Sequence, residues 1–392
     1  MVGLRLDPAV ALPADGTRGT LVGRVWRPER EGPSVVAVRA DGVFDISSAC
    51  ATTRDLCEAD DPAVLVAAAR GERIGDLAMI LANTVETGRD AGKPWLLAPI
   101  DLQAIKAAGV TFAISLLERV IEEQARGAPE RAAAARAEVE AALGGAIEGL
   151  KPGSPEAMEL KKLLQAKGLW SQYLEVGIGP DAEIFTKAQP MSAVGAGASI
   201  GILAASHWNN PEPEVVVVVN ASGAIVGATL GNDVNLRDVE GRSALLLSKA
   251  KDNNASTAIG PFIRLFDNTF SLDDVRDADV RLTVEGTDGF RLEGSSHVAK
   301  ISRDPADLVG QMLGRHHQYP DGAVLFLGTM FAPIKDRDAP GQGFTHHEGD
   351  IVTIASEKLG ALVNVVTTSD KAPPWTFGTG ALMRNLAKRG LL

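Results

Sequence analysis

Val215 to Val219 is an unbroken run of five valines. Five β-branched residues in a row favour an extended strand over a helix, and the absence of any polar position among them makes it a buried one. Asn220-Ala221-Ser222-Gly223 follows with turn chemistry. Ala224 to Leu230 then reads as a second strand folding back on the first. Just before the valines stand Glu212 and Glu214. In an extended strand residues two apart share a face, with Cα atoms ~6.7 Å apart, so both carboxylates can aim at one point. With the turn centred near Ser222, the returning chain is expected to pass Glu214 around Thr229 and Glu212 around Gly231. Asp233 then arrives beside the two glutamates, one or two residues past the pairing.

Three carboxylates converging at the mouth of a buried hairpin repel one another unless something positive sits among them. An oxygen-only donor set suits a hard cation, Mg²⁺ or Mn²⁺. The same acids also fit a simpler description, strand ends facing water, and both readings stand at this point.

Composition narrows the setting. The chain has 392 residues, longer than a typical single domain, and its 45% hydrophobic content can fill a core. Its net charge of −11 argues against nucleic acid as main partner, because phosphate binding needs clustered Lys and Arg. Cys50 and Cys57 are neither a disulfide framework nor a Cys-x-x-Cys site, which fits a reducing compartment. Met1 to Gly16 does not read as a signal peptide, and no stretch of about 18 apolar residues is present, so no membrane span is expected. The expected location is the cytoplasm.

Residues 1–98 read as a small α+β domain serving packing or oligomerisation. Thr20 to Trp26 and Ser34 to Ile46 look like strands, with Asp41-Gly42 as a hairpin signal. Pro62 to Arg70 and Ile74 to Val85 have helical spacing, and Gly88 to Asp101 reads as a linker. Residues 99–392 form the expected catalytic domain. A helical insertion at about 115–172 reads as two or three solvated helices, broken at Gly144-Gly145 and Pro152 to Pro155, with no chemistry of its own. Glu175 to Lys187 looks strand-like. Ser243 to Lys251 has helical spacing, and Ser256 to Pro261 reads as a tight turn. Asp304-Pro305 opens a helix expected to run to about His317. Strands dominate from residue 180 onward with irregular spacing, which fits a rolled, mixed β-sheet. The fold class expected is α+β, mostly β.

Other motifs carry less. Gly195, Gly197 and Gly201 miss the dinucleotide spacing, no Gly-x-Ser-x-Gly elbow is present, and the six histidines form no zinc-protease motif. The pairs His316-His317 and His346-His347 read as surface or helix-end histidines. Glu183 lies among Val176, Ile184 and Phe185, where a carboxyl group has a raised pKa and can exchange protons. Lys251 on its own reads as a solvated helix end.

Taken together these residues resemble the fumarylacetoacetate hydrolase superfamily, over residues of about 98–392. The text is most similar to its sugar-acid branch, the 2-keto-3-deoxy-pentonate dehydratases that act on D-xylonate- or L-arabinonate-derived acids. The resemblance is carried by Ala108 to Phe112 with Ser115 and Arg119, by Glu183 to Lys187, and by Trp208 to Glu214. Asn232 to Val234, Arg237 to Gly241, Lys251, Ala258 to Pro261 and Gly328-Thr329 complete it. It implies a mixed β-roll with a small N-terminal α+β domain, assembled as a homodimer or homotetramer. It implies metal ligation by Glu212, Glu214 and Asp233, and action near the substrate by Glu183 and Lys251. Phe112, Ser115, Lys187, Thr257 and Thr329 are the expected contacts to the substrate. The hydrolase members carry a catalytic histidine in the segment matching Ala108 to Glu123, and this chain has none there.

The chemistry so implied is a Mg²⁺- or Mn²⁺-dependent dehydration of a small 2-keto sugar acid in pentose catabolism. A C3 proton leaves to give an enolate, the C4 hydroxyl departs as water, and tautomerisation yields 2-oxoglutarate semialdehyde. The alternative on the same metal platform is acylpyruvate hydrolysis or 2-oxoacid decarboxylation. A catalytically silent binding protein of the same fold is the alternative from another class, and three converging acids argue against it.

Overall fold

The computed structural model describes residues 4–143, 145, 147, 149–168, 170–331 and 333–392. The strands in chain order are β1 (Leu21–Arg27), β2 (Gly32–Arg39), β3 (Gly42–Asp45), β4 (Glu72–Gly75), β5 (Trp95–Leu97) and β6 (Ala104–Gly109). After the helical insertion come β7 (Glu183–Ala188), β8 (Ser199–Ile202), β9 (Asn209–Asn210), β10 (Pro213–Val219), β11 (Ile225–Asp233) and β12 (Asn235–Leu236). The remainder are β13 (Thr257–Leu265), β14 (Asp279–Glu285), β15 (Arg291–His297), β16 (Ala323–Phe326), β17 (Ile351–Ser356) and β18 (Gly360–Thr368).

The larger sheet runs β4-β3-β2-β1-β13-β11-β10-β16-β6-β7, with β5 added beside β1. The smaller runs β15-β14-β17-β18-β8, and β9 pairs with β12 alone. Most pairings are antiparallel, but β16 with β6 and β18 with β8 are parallel, so the sheets are mixed. The mostly β architecture expected from the strand-rich second half is therefore present. Strands of residues 1–98 extend the same sheet, since β1 pairs with β13 at Leu21 and Val22.

The valine run explains itself in this setting. β10 has β11 on one edge and β16 on the other. Val215, Val217 and Val219 pack into one hydrophobic core, and Val216 and Val218 into another on the opposite face. A strand covered on both faces has no position for a polar side chain, and its sequence becomes continuously apolar.

The hairpin register differs from the expected one. Glu214 pairs with Gly231 and Val216 with Thr229, so the partner of Glu214 lies two residues further along. Two features shift it. The connection spans Asn220 to Ala224, and a bulge between Val218 and Val219 takes one extra residue on β11. As a result Asp233 lies directly across from Glu212, its N–H donating to the Glu212 carbonyl at 3.1 Å.

Other boundaries also move. Ile74 belongs to β4, and the helix after it starts at Leu77. The stretch expected as a linker contains β5, which pairs with β1 over Arg24 to Trp26. Gln172–Ile178 is a helix rather than a strand, capped by the Ser171 hydroxyl accepting from the Leu174 N–H. Thr257 already belongs to β13. The helix from Pro305 ends at Met312, two residues before the poor helix former Gly314.

The helical insertion is more than a solvated excursion. Its helices Ala113–Ala125, Ala132–Leu143, Pro155–Ala166 and Gln172–Ile178 enclose a third core, which includes Leu116, Val120, Ile121, Leu164 and Leu174. Of the two expected breaks, Gly144 lies outside the described residues, whereas Pro155 is the first residue of a helix capped by Ser154. Among the described residues no helix is long and apolar enough to cross a membrane.

Candidate metal and catalytic centre

The β10–β11 hairpin delivers its acids to one place. Glu214 is the second residue of β10, Glu212 immediately precedes that strand, and Asp233 ends β11. All three are at most 2% exposed. One carboxylate oxygen from each lies within 4.8 Å of the others. The reading of these acids as strand ends facing water is therefore set aside: they are inside the protein.

Buried like charges need compensation. The Lys251 ammonium lies 3.0 Å from Glu212 Oε2, 3.0 Å from Asp233 Oδ1 and 3.3 Å from Glu240 Oε1. Lys251 ends the helix Leu247–Lys251, where a cation also suits the helix dipole. Burial works against its charge, but Asp233, Glu212 and Glu240 hold its pKa well above the usual range. Arg119 reaches Glu212 Oε1 at 2.7 Å, Glu122 Oε2 at 2.8 Å and Glu240 Oε2 at 2.9 Å. Asp233 has a second partner in Lys187, also at 3.0 Å. Against the burial penalty, Lys187 and Lys251 together keep the Asp233 carboxyl below its usual range.

Glu214 is different. It accepts from the Gly328 N–H at 2.7 Å and the Thr329 hydroxyl at 3.4 Å, and no basic side chain among the described residues forms an ion pair with it. Burial, then Asp233 and Glu212, push its carboxyl well above the ordinary value. Gly328 can serve this role because its φ of +104° is open to glycine, and a Cβ there would meet Thr111 Oγ1 at 2.0 Å. A buried carboxyl with a free face, turned toward two others, is the position a divalent cation fits. Glu212, Glu214 and Asp233 supply the hard oxygen donors that Mg²⁺ or Mn²⁺ requires.

Beside the three acids is a cavity of about 40 Å³. Its wall includes the three acids and, of the expected site residues, Glu183, Lys251, Ser115 and Thr329. Phe112, Lys187 and Thr257 do not reach it. The Phe112 ring is buried in the main core. The Lys187 ammonium is fully buried behind Asp233, donating to the carbonyls of Lys251 at 2.9 Å and Ser256 at 3.1 Å. Thr257 pairs with Asp233 in the β11–β13 ladder. These two support Asp233, a candidate metal ligand, from outside the cavity.

Glu183 opens β7 opposite Gly109 of β6. Burial and the charge of Glu240 raise its carboxyl to about 7, the direction expected from its apolar neighbours. Only glycine fits opposite: a Cβ on Gly109 would stand 1.9 Å from Glu183 Oε2. Gly109→Ala should therefore displace the Glu183 carboxylate. The expected result is a kcat loss on the order of 100-fold, the scale of a misplacement near 1 Å. Metal affinity measured by calorimetry should be unchanged. Unaltered kcat would remove Glu183 from the reaction.

Sequence reasoning missed Glu240, Glu122 and Tyr173, and gave Arg119 no role. Arg119, Glu240 and Tyr173 line the cavity. Arg119 and Glu240 were visible within segments carrying the resemblance, but nothing local says that one would grip the other across 121 residues. Tyr173 sits in the insertion, where no motif points inward. His346 is not at the surface: it is buried, with Nδ1 3.2 Å from Asp350. Asp350 is held by Arg337 at 2.6 Å, so this pair is part of a structural ion network.

Residues 179–367 match the family model of the fumarylacetoacetate (FAA) hydrolase C-terminal domain. That segment carries all three candidate metal ligands and both Glu183 and Lys251. By this match the segment is similar to an FAA hydrolase C-terminal domain. Over 196 residues the chain is 33% identical to a probable 2-keto-3-deoxyxylonate dehydratase of Haloferax volcanii, covering 50% of this chain and 64% of that protein. Over 187 residues it is 35% identical to the 2-dehydro-3-deoxy-D-arabinonate dehydratase of Saccharolobus solfataricus, covering 47% of this chain and 58% of that protein. The matches thus span about three fifths of the length of these curated relatives. In structure, the FAA hydrolase-like fold is shared with the apo form of a 2-keto-3-deoxy-D-arabinonate dehydratase, at a TM-score of 0.59 and 21% identity over 89% of this chain and 99% of that one. A form of that enzyme complexed with magnesium and 2,5-dioxopentanoate gives a TM-score of 0.58 at 20% identity, again over 89% of this chain and 99% of that one.

Proposed function

We propose that this chain is a metal-dependent hydro-lyase that removes water from a 2-keto-3-deoxy-pentonate to give 2-oxoglutarate semialdehyde (2,5-dioxopentanoate). The observation that carries it is the cluster of Glu212, Glu214 and Asp233, buried and with no basic partner at Glu214 among the described residues, beside a cavity that also holds Lys251 and Glu183, whose carboxyl is raised to about 7. The relatives' names support the substrate class, and the 2,5-dioxopentanoate of the magnesium complex is the compound this reaction would yield.

Bound among the three acids, Mg²⁺ or Mn²⁺ would act as a Lewis acid that makes the protons on C3 of a 2-keto acid more acidic. Within that setting the chain's own groups divide the work. Glu183, poised near neutral pH, takes the C3 proton. Lys251 offers a fixed positive charge where negative charge develops. Ser115 and Thr329 line the cavity with hydroxyls for the polar end of the substrate, while Phe185 and Leu247 supply apolar wall. Lys187 holds Asp233 from behind. The reading includes a cytoplasmic homodimer or homotetramer, with residues 1–98 as a small domain serving assembly. Hydrolysis finds no support: among the described residues no histidine lines the cavity, and water has no evident activating base of that kind.

Metal binding tests the assignment before any substrate is known. Isothermal titration of the chelator-stripped protein with Mg²⁺ and Mn²⁺ should give one site per chain. Glu214→Gln should abolish it, because an amide neither neutralises the cation nor replaces a carboxylate donor. Activity that survived both that substitution and chelator would overturn the metal assignment.

A further inference from the structure

Glu240 lines the cavity beside Lys251 and Arg119 without being one of the three candidate metal ligands or the candidate proton acceptor. It closes the short helix Arg237–Glu240 and is 4% exposed. Its Oε2 is pinned by Arg119 at 2.9 Å, so the carboxylate has a fixed orientation. Its other oxygen, Oε1, is buried and has no hydrogen-bond partner among the described residues. Lys251 stands 3.3 Å away, close enough for attraction but already directed at Glu212 and Asp233 at 3.0 Å. A buried acceptor that has an ion-pair neighbour but no hydrogen bond is costly and uncommon, and its usual explanation is a ligand or water.

The chemistry of the missing partner follows from the acceptor. An ionised carboxylate can only accept, so the partner brings an O–H or N–H. The 2-keto acid end of a substrate carries only acceptors and a negative charge, and Glu240 would repel it. The geometry points to Glu240 as the residue that receives a hydroxyl of the substrate's tail and selects hydroxylated 2-keto acids over plain ones. This inference rests on the dehydratase reading above and adds a specificity determinant to it. A site built to bond a hydroxyl discriminates strongly against ligands lacking one, since its own polar group is then left unpaired.

The test compares two ligands on the Mg²⁺-loaded protein: 2-keto-3-deoxy-pentonate, followed by KM, and 2-oxopentanoate, with the same five-carbon chain and no hydroxyl, followed by its inhibition constant. In Glu240→Ala the KM should rise by roughly 10-fold or more, the scale of one lost hydrogen bond to a charged group. The inhibition constant of 2-oxopentanoate should move less than about twofold on the same grounds. Equal losses for both ligands, or no loss for either, would overturn the inference and leave Glu240 as a brace for Arg119. Glu240→Asp keeps the charge but shortens the reach, and must give the same split if the alanine protein does not fold. Should wild type not turn over the pentonate, the dehydratase reading fails by itself. Glu240 is then judged by calorimetric binding of the two ligands to the same proteins, where the same split is required.

Discussion

Lys251→Met should destabilise the metal-free protein by about 3–5 kcal/mol, the range for removing one partner of a buried ion pair. The ammonium lies within 3.3 Å of Glu212, Asp233 and Glu240, all at most 4% exposed. Methionine keeps most of the volume and removes the charge, so the loss is electrostatic rather than a cavity effect. Lys187 remains beside Asp233 and Arg119 beside Glu212, which keeps the protein from unfolding outright. Urea melts with and without Mg²⁺ check the prediction. Saturating Mg²⁺ should restore part of the loss, since a cation bound among the acids stabilises the folded state by mass action. A midpoint equal to wild type in the absence of metal would show that Lys251 does not neutralise this cluster. Turnover should fall in the same variant, and Mg²⁺ should not restore it.

Glu183→Gln should lower kcat by about 10²–10⁴-fold, the usual contribution of a positioned proton-transfer group, with Mg²⁺ affinity unchanged. A second signature comes from pH. As a base Glu183 must be ionised, so the wild-type rate should rise with pH through a value near 7, and a nearby divalent cation would move that limb lower. The rising limb should vanish in the variant. Stability runs the opposite way. A carboxyl whose folded-state pKa is raised contributes stability below its unfolded value near 4.5, and loses it as pH rises through about 7. The metal-free wild type should therefore lose more stability than Glu183→Gln between pH 5 and pH 8, within the window those values set. A variant with an intact rising limb would assign the proton transfer elsewhere.

How much of this could be read from the residues alone differs between the acids and the cations. Glu212, Glu214 and Asp233 were legible because one hairpin carries them, and strand periodicity fixes which way side chains point. The register was off by two because the connection runs to Ala224 and a bulge after Val218 adds one more residue, and neither leaves a mark in a run of identical valines. Glu183 was legible through its apolar neighbours, and its carboxyl is raised as those neighbours suggest. Lys187 was read as a substrate contact, but it is fully buried and its ammonium ends on Asp233 and two backbone carbonyls. Only the packing of β7 against the helix Leu247–Lys251 shows that. Arg119 and Glu240 escaped because their meeting depends on how the insertion docks over the sheet, a long-range contact that no local pattern encodes. The insertion was read as solvated because its surface is rich in Glu, Lys and Arg, while the small apolar residues of its core, such as Ala125, Ala135 and Ala157, give a weak periodic signal.

The measurement that bears most directly on the account is a product assay. Purified protein with Mg²⁺ is incubated with D- and L-2-keto-3-deoxy-pentonate, with and without chelator, and masses are read. The account predicts loss of one water from at least one isomer, giving 2,5-dioxopentanoate, and no loss when chelator is present. An unchanged mass for both isomers with Mg²⁺ bound, or dehydration that persists in chelator, would contradict it.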